Sequence, residues 1–128
     1  MKKFLIDSDI LIDFLRGIEG ARNYLSILSK DATLCCSVIT IAEIYAGMRK
    51  TEEKKTTTLL DGLFSIPISE EIARIAGEFK RDTKSQKLEL DNCLIAATAL
   101  AENAVLATKN LKHYPMKKLN LESPGYHQ

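Results

Sequence analysis

This chain of 128 residues is short of most of the residue types that betray a specialised protein. Glycine occurs six times and proline three, too few for a linker-rich or disordered chain. Cysteine occurs three times, at Cys35, Cys36 and Cys93. An odd number with two adjacent makes neither a disulfide framework nor a zinc spacing. The adjacent pair sits in an apolar run and reads as small core residues, which suits a reducing cytoplasm. No charge dominates: 18 basic residues face 17 acidic ones, a net +1. That balance excludes a bulk-charge nucleic-acid binder and an acidic tail, and leaves a local basic rim open. No apolar run approaches the ~20 residues that span a bilayer, so no membrane association is expected. The opening MKKFLIDSDILIDFL imitates a signal peptide, but Asp7, Asp9 and Asp13 interrupt its apolar part. The only histidines are His113 and His127. No Ser–His or Cys–His nucleophile pair and no glycine-rich phosphate loop is present.

What remains is an ordinary globular composition, 45% hydrophobic and 27% charged. The length predicts one domain over residues 1–128. Such a chain buries about two thirds of its unfolded surface and needs no staple. Residues 3–7 read as a buried strand, followed by helices at 9–16 and 20–30. A second strand is expected at 33–38. Thr40 and Glu43 fit a capping box that opens a helix running to about residue 50. Residues 52–63 form a further helix, and 65–68 an edge strand because of Pro67. Ser69 starts a helix with Ile72, Ile75, Ala76 and Phe79 on one face. An alanine-rich helix over 91–102, a strand at 104–108 and a short strand at 119–121 complete the pattern. Short apolar strands alternating with amphipathic helices predict an α/β fold with a parallel central sheet. Sites in such sheets collect beyond the carboxyl ends of the strands.

Those ends are rich in oxygen donors: Asp7, then Glu43 one turn past the second strand, Asp91 and Asn92, then Thr108 and Asn110. Carboxylates gathered without soft ligands suit Mg²⁺ or Mn²⁺. Crowded like charges protonate unless a cation neutralises them, and a hard ion also activates water and polarises a phosphoryl oxygen. This points to phosphodiester hydrolysis. Each residue also has a plainer reading. Asp7 or Asp9 could only cap a helix, Asp13 reads as surface, and Glu43 could serve only its capping box. Asp91 or Asn92 could cap the alanine-rich helix, and Asn110 could be a turn residue. Lys109, Lys112, Lys117 and Lys118, with Tyr114 among them as a stacking residue, could line a phosphate track or a solvated loop. A second group, Lys80, Arg81, Lys84 and Lys87, is interrupted by acids and reads as solvated surface.

Four stretches in order, FLIDSDILIDFLRG, SVITIAEIYAGMRK, DNCLIAATALAENAVLATKN and NLKHYP, resemble the PIN-domain ribonucleases, specifically VapC-type toxins of toxin–antitoxin pairs. The resemblance covers about residues 3–118. It implies a three-layer fold with a central parallel sheet flanked by helices. It also implies an Mg²⁺- or Mn²⁺-dependent endoribonuclease acting on RNA, a homodimer, and inhibition by a cognate antitoxin. Asp7, Glu43 and Asn92 fall on the metal-ligand positions, with Asp91 and Asn110 beside them in the catalytic site. Thr108 and Asn110 would orient water or phosphate there, and Lys109 and Lys112 of the basic stretch would contact the substrate. Asn92 departs from the family pattern, which has an acid there. Asparagine keeps a carbonyl but loses the charge. Adjacent helix residues point about 100° apart, so Asp91 is expected to leave the helix in another direction. The alternative reading is a catalytically weakened module that binds RNA or antitoxin without cleaving.

Overall fold

The computed structural model describes residues 1–127. Five strands, β1 (Lys2–Ile6), β2 (Ala32–Ser37), β3 (Phe64–Ile66), β4 (Val105–Ala107) and β5 (Asn120–Glu122), form one sheet in the order β3-β2-β1-β4-β5. Every neighbouring pair is parallel. Six helices connect them: α1 (Ser8–Leu15), α2 (Glu19–Asp31), α3 (Val38–Gly47), α4 (Glu53–Asp61), α5 (Glu70–Asp82) and α6 (Leu90–Ala101).

The period-2 alternation of the strands builds the layers. In β1, Leu5 points into the core under α5 and α6, while Phe4 and Ile6 point to the other face under α1 and α2. Cys35 and Cys36 divide in the same way, as do Leu106 and Ala107. All three cysteines are free and buried, as expected of core residues. On α5, Ile72 and Ala76 are buried, with Ile75 and Phe79 packed beside them. Pro67 falls just past β3, which is an edge strand. The three-layer α/β expectation is met.

The chain runs outward from β1 through β2 to β3, then crosses back to β4 on β1's other side. The sheet's topological switch therefore lies between β1 and β4, where ligand sites of open α/β sheets form.

Four local expectations are corrected. Ser37, not Thr40, caps α3: its hydroxyl accepts the Ile39 N–H at 3.0 Å. Thr40 lies inside the helix, fully buried, with its Oγ1 unpartnered. The capping box fails because β2 ends at Ser37 and the helix begins at once. The helix expected to reach about residue 50 ends at Gly47; a 3₁₀ turn, Lys50–Glu52, then leads into α4, the helix expected at 52–63. Asp13 is 2% exposed rather than on the surface. Neither Asp91 nor Asn92 caps α6, since Glu89 holds that position.

Candidate active site

Asp7 is the first residue past β1 and the N-cap of α1. Its Oδ1 accepts the Ser8 N–H at 2.8 Å. Its Oδ2 accepts the Thr108 hydroxyl at 2.8 Å and the buried Tyr114 hydroxyl at 3.0 Å. The Asp7 side chain is thereby oriented by donors from both sides of the switch point. Thr108 is itself fixed, accepting the Asn110 N–H at 3.0 Å.

Asp9 stands in the first turn of α1. Its Oδ2 accepts the Lys109 N–H at 3.0 Å and the Asn110 side-chain amide at 2.9 Å. Its Oδ1 is buried and unpartnered. Burial, and then the neighbouring charge of Asp7, push the Asp9 carboxyl up to about 6, against the pull of its backbone donors. From the sequence alone, Asp9 is only a possible helix cap. The missed signal is the Asp7-x-Asp9 spacing at a strand end facing Thr108-Lys109-Asn110 at the next strand end.

Glu43 projects from α3, half-buried, into the cleft that holds Asp7. Its carboxyl is pushed up to about 7, first by burial, then by a hydrogen bond and like charge from Asp91, and also by Asp7; the Ser8 hydroxyl pulls it the other way. Glu43 Oε1 is buried without a partner. Asp91 Oδ1 accepts the Asn92 N–H at 2.8 Å. Asn92 instead turns toward Tyr114, whose hydroxyl is 3.3 Å from its Oδ1. The two neighbours thus leave α6 in different directions, as the helical angle requires, yet both line the cleft.

The predicted substrate residues divide. Thr108 is wholly buried and serves the acids. Lys109 is not free for phosphate: its ammonium pairs with Asp13. An uncompensated buried carboxylate is costly, and Asp13 recruits the nearest cation. Lys112 is exposed, and its carbonyl accepts the Gln86 side-chain amide at 2.9 Å. Tyr114 is 2% exposed, so its ring offers no stacking face. In the second basic group, Lys80 donates to the Leu88 carbonyl and Arg81 pairs with Asp82.

Among the described residues, no three His, Cys, Asp or Glu side chains already close round one point. The donors are nonetheless all hard oxygens, and two buried carboxylate oxygens, Glu43 Oε1 and Asp9 Oδ1, have no partner. Mg²⁺ needs only one or two carboxylates and keeps several waters, so the residues present fit such an ion.

Fold and site together define an α/β protein with an acidic cleft at the switch point of a parallel sheet. The PIN domain family profile matches residues 4–119, and the chain belongs to that family. It is 41% identical over 114 residues to Ribonuclease VapC10 of Mycobacterium tuberculosis, spanning 88% of this chain and 86% of the relative. It is 33% identical over 115 residues to Ribonuclease VapC19 of the same organism, spanning 88% and 92%. Among solved structures it resembles VapBC2 from Rickettsia felis bound to a DNA fragment from their promoter, with a TM-score of 0.85 and 27% identity over 94% of this chain and 98% of that one. It also resembles a toxin–antitoxin complex from Klebsiella pneumoniae, with a TM-score of 0.80 and 29% identity over 94% and 96%.

Proposed function

We infer that this chain is a divalent-metal-dependent endoribonuclease, the toxin of a toxin–antitoxin pair, working as a single PIN unit. The observation that carries the reading is the Glu43–Asp91 carboxyl pair beside Asp7, with a buried Glu43 oxygen left unpartnered. Two acids turned on one another in a half-buried cleft reduce stability unless a cation or a shared proton separates their charges. The names of the relatives and the complexes among the structural neighbours support a ribonuclease and an antitoxin partner.

Asp7, Glu43 and the 91–92 pair would hold Mg²⁺ or Mn²⁺. Asp91 supplies the charge that Asn92 lacks, and Asn92 offers a carbonyl. Bound there, the ion would neutralise the acids, acidify water and polarise the phosphoryl oxygen. Asp9 and Asn110 face the same mouth and would orient water or phosphate, with Thr108 holding Asp7 in place. Lys112 remains as an exposed cation for the RNA backbone. Water attacking phosphorus in line, with the 3′ oxygen leaving, gives a 5′ phosphate. A homodimer in the cytoplasm completes the reading; no helix among the described residues is long and apolar enough to cross a membrane.

The test is cleavage of RNA and of single-stranded DNA, with Mg²⁺, with Mn²⁺ and with chelator. Metal-dependent cutting of RNA is expected. A second reading, binding without cleavage, is favoured by Asn92 alone. RNA retained on the protein and left intact with either ion would establish it.

A further inference from the structure

Asp9 and Asp13 lie four residues apart on α1 and therefore on one side of it. The loop after β4 is fastened along this row. Thr108 bonds Asp7, the Lys109 N–H and the Asn110 amide bond Asp9, and the Lys109 ammonium bonds Asp13. The last of these attachments is covered by the segment following β5. The Tyr126 hydroxyl donates to Asp13 at 2.8 Å, and the Lys109 ammonium stands 5.7 Å from the centre of the Tyr126 ring. The ring is admitted because residue 20 is glycine: a β-carbon there would lie 2.5 Å from Tyr126 Cβ. Tyr24 of α2, donating to Glu122, ties β5 to α2.

We propose that Tyr126 is a positioning residue for the acidic site, acting through Asp13 and Lys109 to hold residues 108–110 against Asp7 and Asp9. A lysine–aspartate pair open to water is loose and contributes little. Covered by an aromatic face and given a second donor, the same pair is desolvated and its geometry narrowed. Here the Asp13 side chain is 3% exposed and that of Lys109 26%. Carboxylates that serve a metal need such supports, because small displacements cost function. The proposal rests on the divalent-metal reading of the site. Tyr126 touches none of the reacting groups.

Tyr126→Phe keeps the ring on Gly20 and over Lys109 and removes only the hydroxyl. Tyr126→Ala removes both, and Gly20→Ala blocks the seat from the other side. The variants are compared with the parent chain by calorimetric titration with Mg²⁺ alone, by amide hydrogen exchange, and by RNA cleavage kinetics. The phenylalanine variant is expected to bind Mg²⁺ about three- to tenfold more weakly, and the two alanine variants more than about tenfold. The Lys109 amide is expected to exchange at least about tenfold faster in all three. kcat falls while KM for RNA holds. A purely structural tyrosine would lower the melting temperature and leave Mg²⁺ affinity and Lys109 exchange as in the parent; that result overturns the proposal. If the parent itself binds neither Mg²⁺ nor Mn²⁺, the metal reading falls. Lys109 exchange then decides the latch alone: faster exchange in the variants sustains it, and unchanged exchange overturns it.

Discussion

Burial, and then Asp91 facing it, keep Glu43 protonated to about pH 7 in the metal-free protein. A carboxyl raised in the folded state binds a proton that the unfolded chain has already released. Stability of the metal-free protein is therefore expected to fall as pH rises from the ordinary glutamate range to about 7, and to level off above it. Millimolar Mg²⁺ should flatten that slope. Urea denaturation at several pH values, with and without the ion, checks both. Ion binding should also release protons and weaken below about pH 6, where Asp9 protonates as well; titration in buffers of different ionisation enthalpy measures this. Charge at the next two positions is separable. Asp91→Asn removes the acid that faces Glu43 and should lower RNA cleavage at least about tenfold, or ~1.4 kcal/mol of barrier. Asn92→Asp returns a charge beside Tyr114 and Asp7 and should tighten Mg²⁺ binding about tenfold and raise cleavage. If Asn92→Asp moves neither quantity, residue 92 takes no part in holding the ion.

At the scale of elements, α3 matters because it carries Glu43 into the cleft. Two hydroxyls near its start have opposite standing. Ser37 satisfies an orphan N–H at the helix end, so Ser37→Ala should cost about 1 kcal/mol. Thr40 is buried with no partner for its Oγ1, so Thr40→Val, which keeps the shape and removes the polar atom, should be neutral or stabilising by up to about 1 kcal/mol. Were Thr40 the cap, the same change would destabilise. Denaturant midpoints of the two variants separate these outcomes. The sequence pattern could not rank the two hydroxyls, because the box depends on where β2 stops. That is set by its pairing with β1 and β3 rather than by local preference. Asp91 and Asn92 gave the same difficulty: the helix period separates their directions, but only the packing of α6 beside α3 shows that Asp91 meets Glu43.

For the molecule as a whole, light scattering of the free chain at micromolar concentration and neutral pH should give twice the monomer mass, as the proposed homodimer requires. The order β3-β2-β1-β4-β5 brings residues 7–9 and 108–110, about a hundred positions apart in the chain, into direct hydrogen bonding. The layers, the order of elements and the acids at strand ends were legible in the sequence, because period-2 strands, period-3.6 helices and cap residues are local signals. The PIN resemblance rests on three stretches that carry these acids and on NLKHYP, which carries none. What the sequence left open was which polar group each acid would meet. The sequence pattern puts Asp13 at the surface, and leaves Lys109 and Tyr114 to a phosphate track or a solvated loop. All three are instead committed inward: Asp13 is paired with Lys109, and Tyr114 donates to Asp7. Burial decides these roles. A carboxylate withdrawn from water must find a cation or a donor, and only the folded chain determines which one lies within reach.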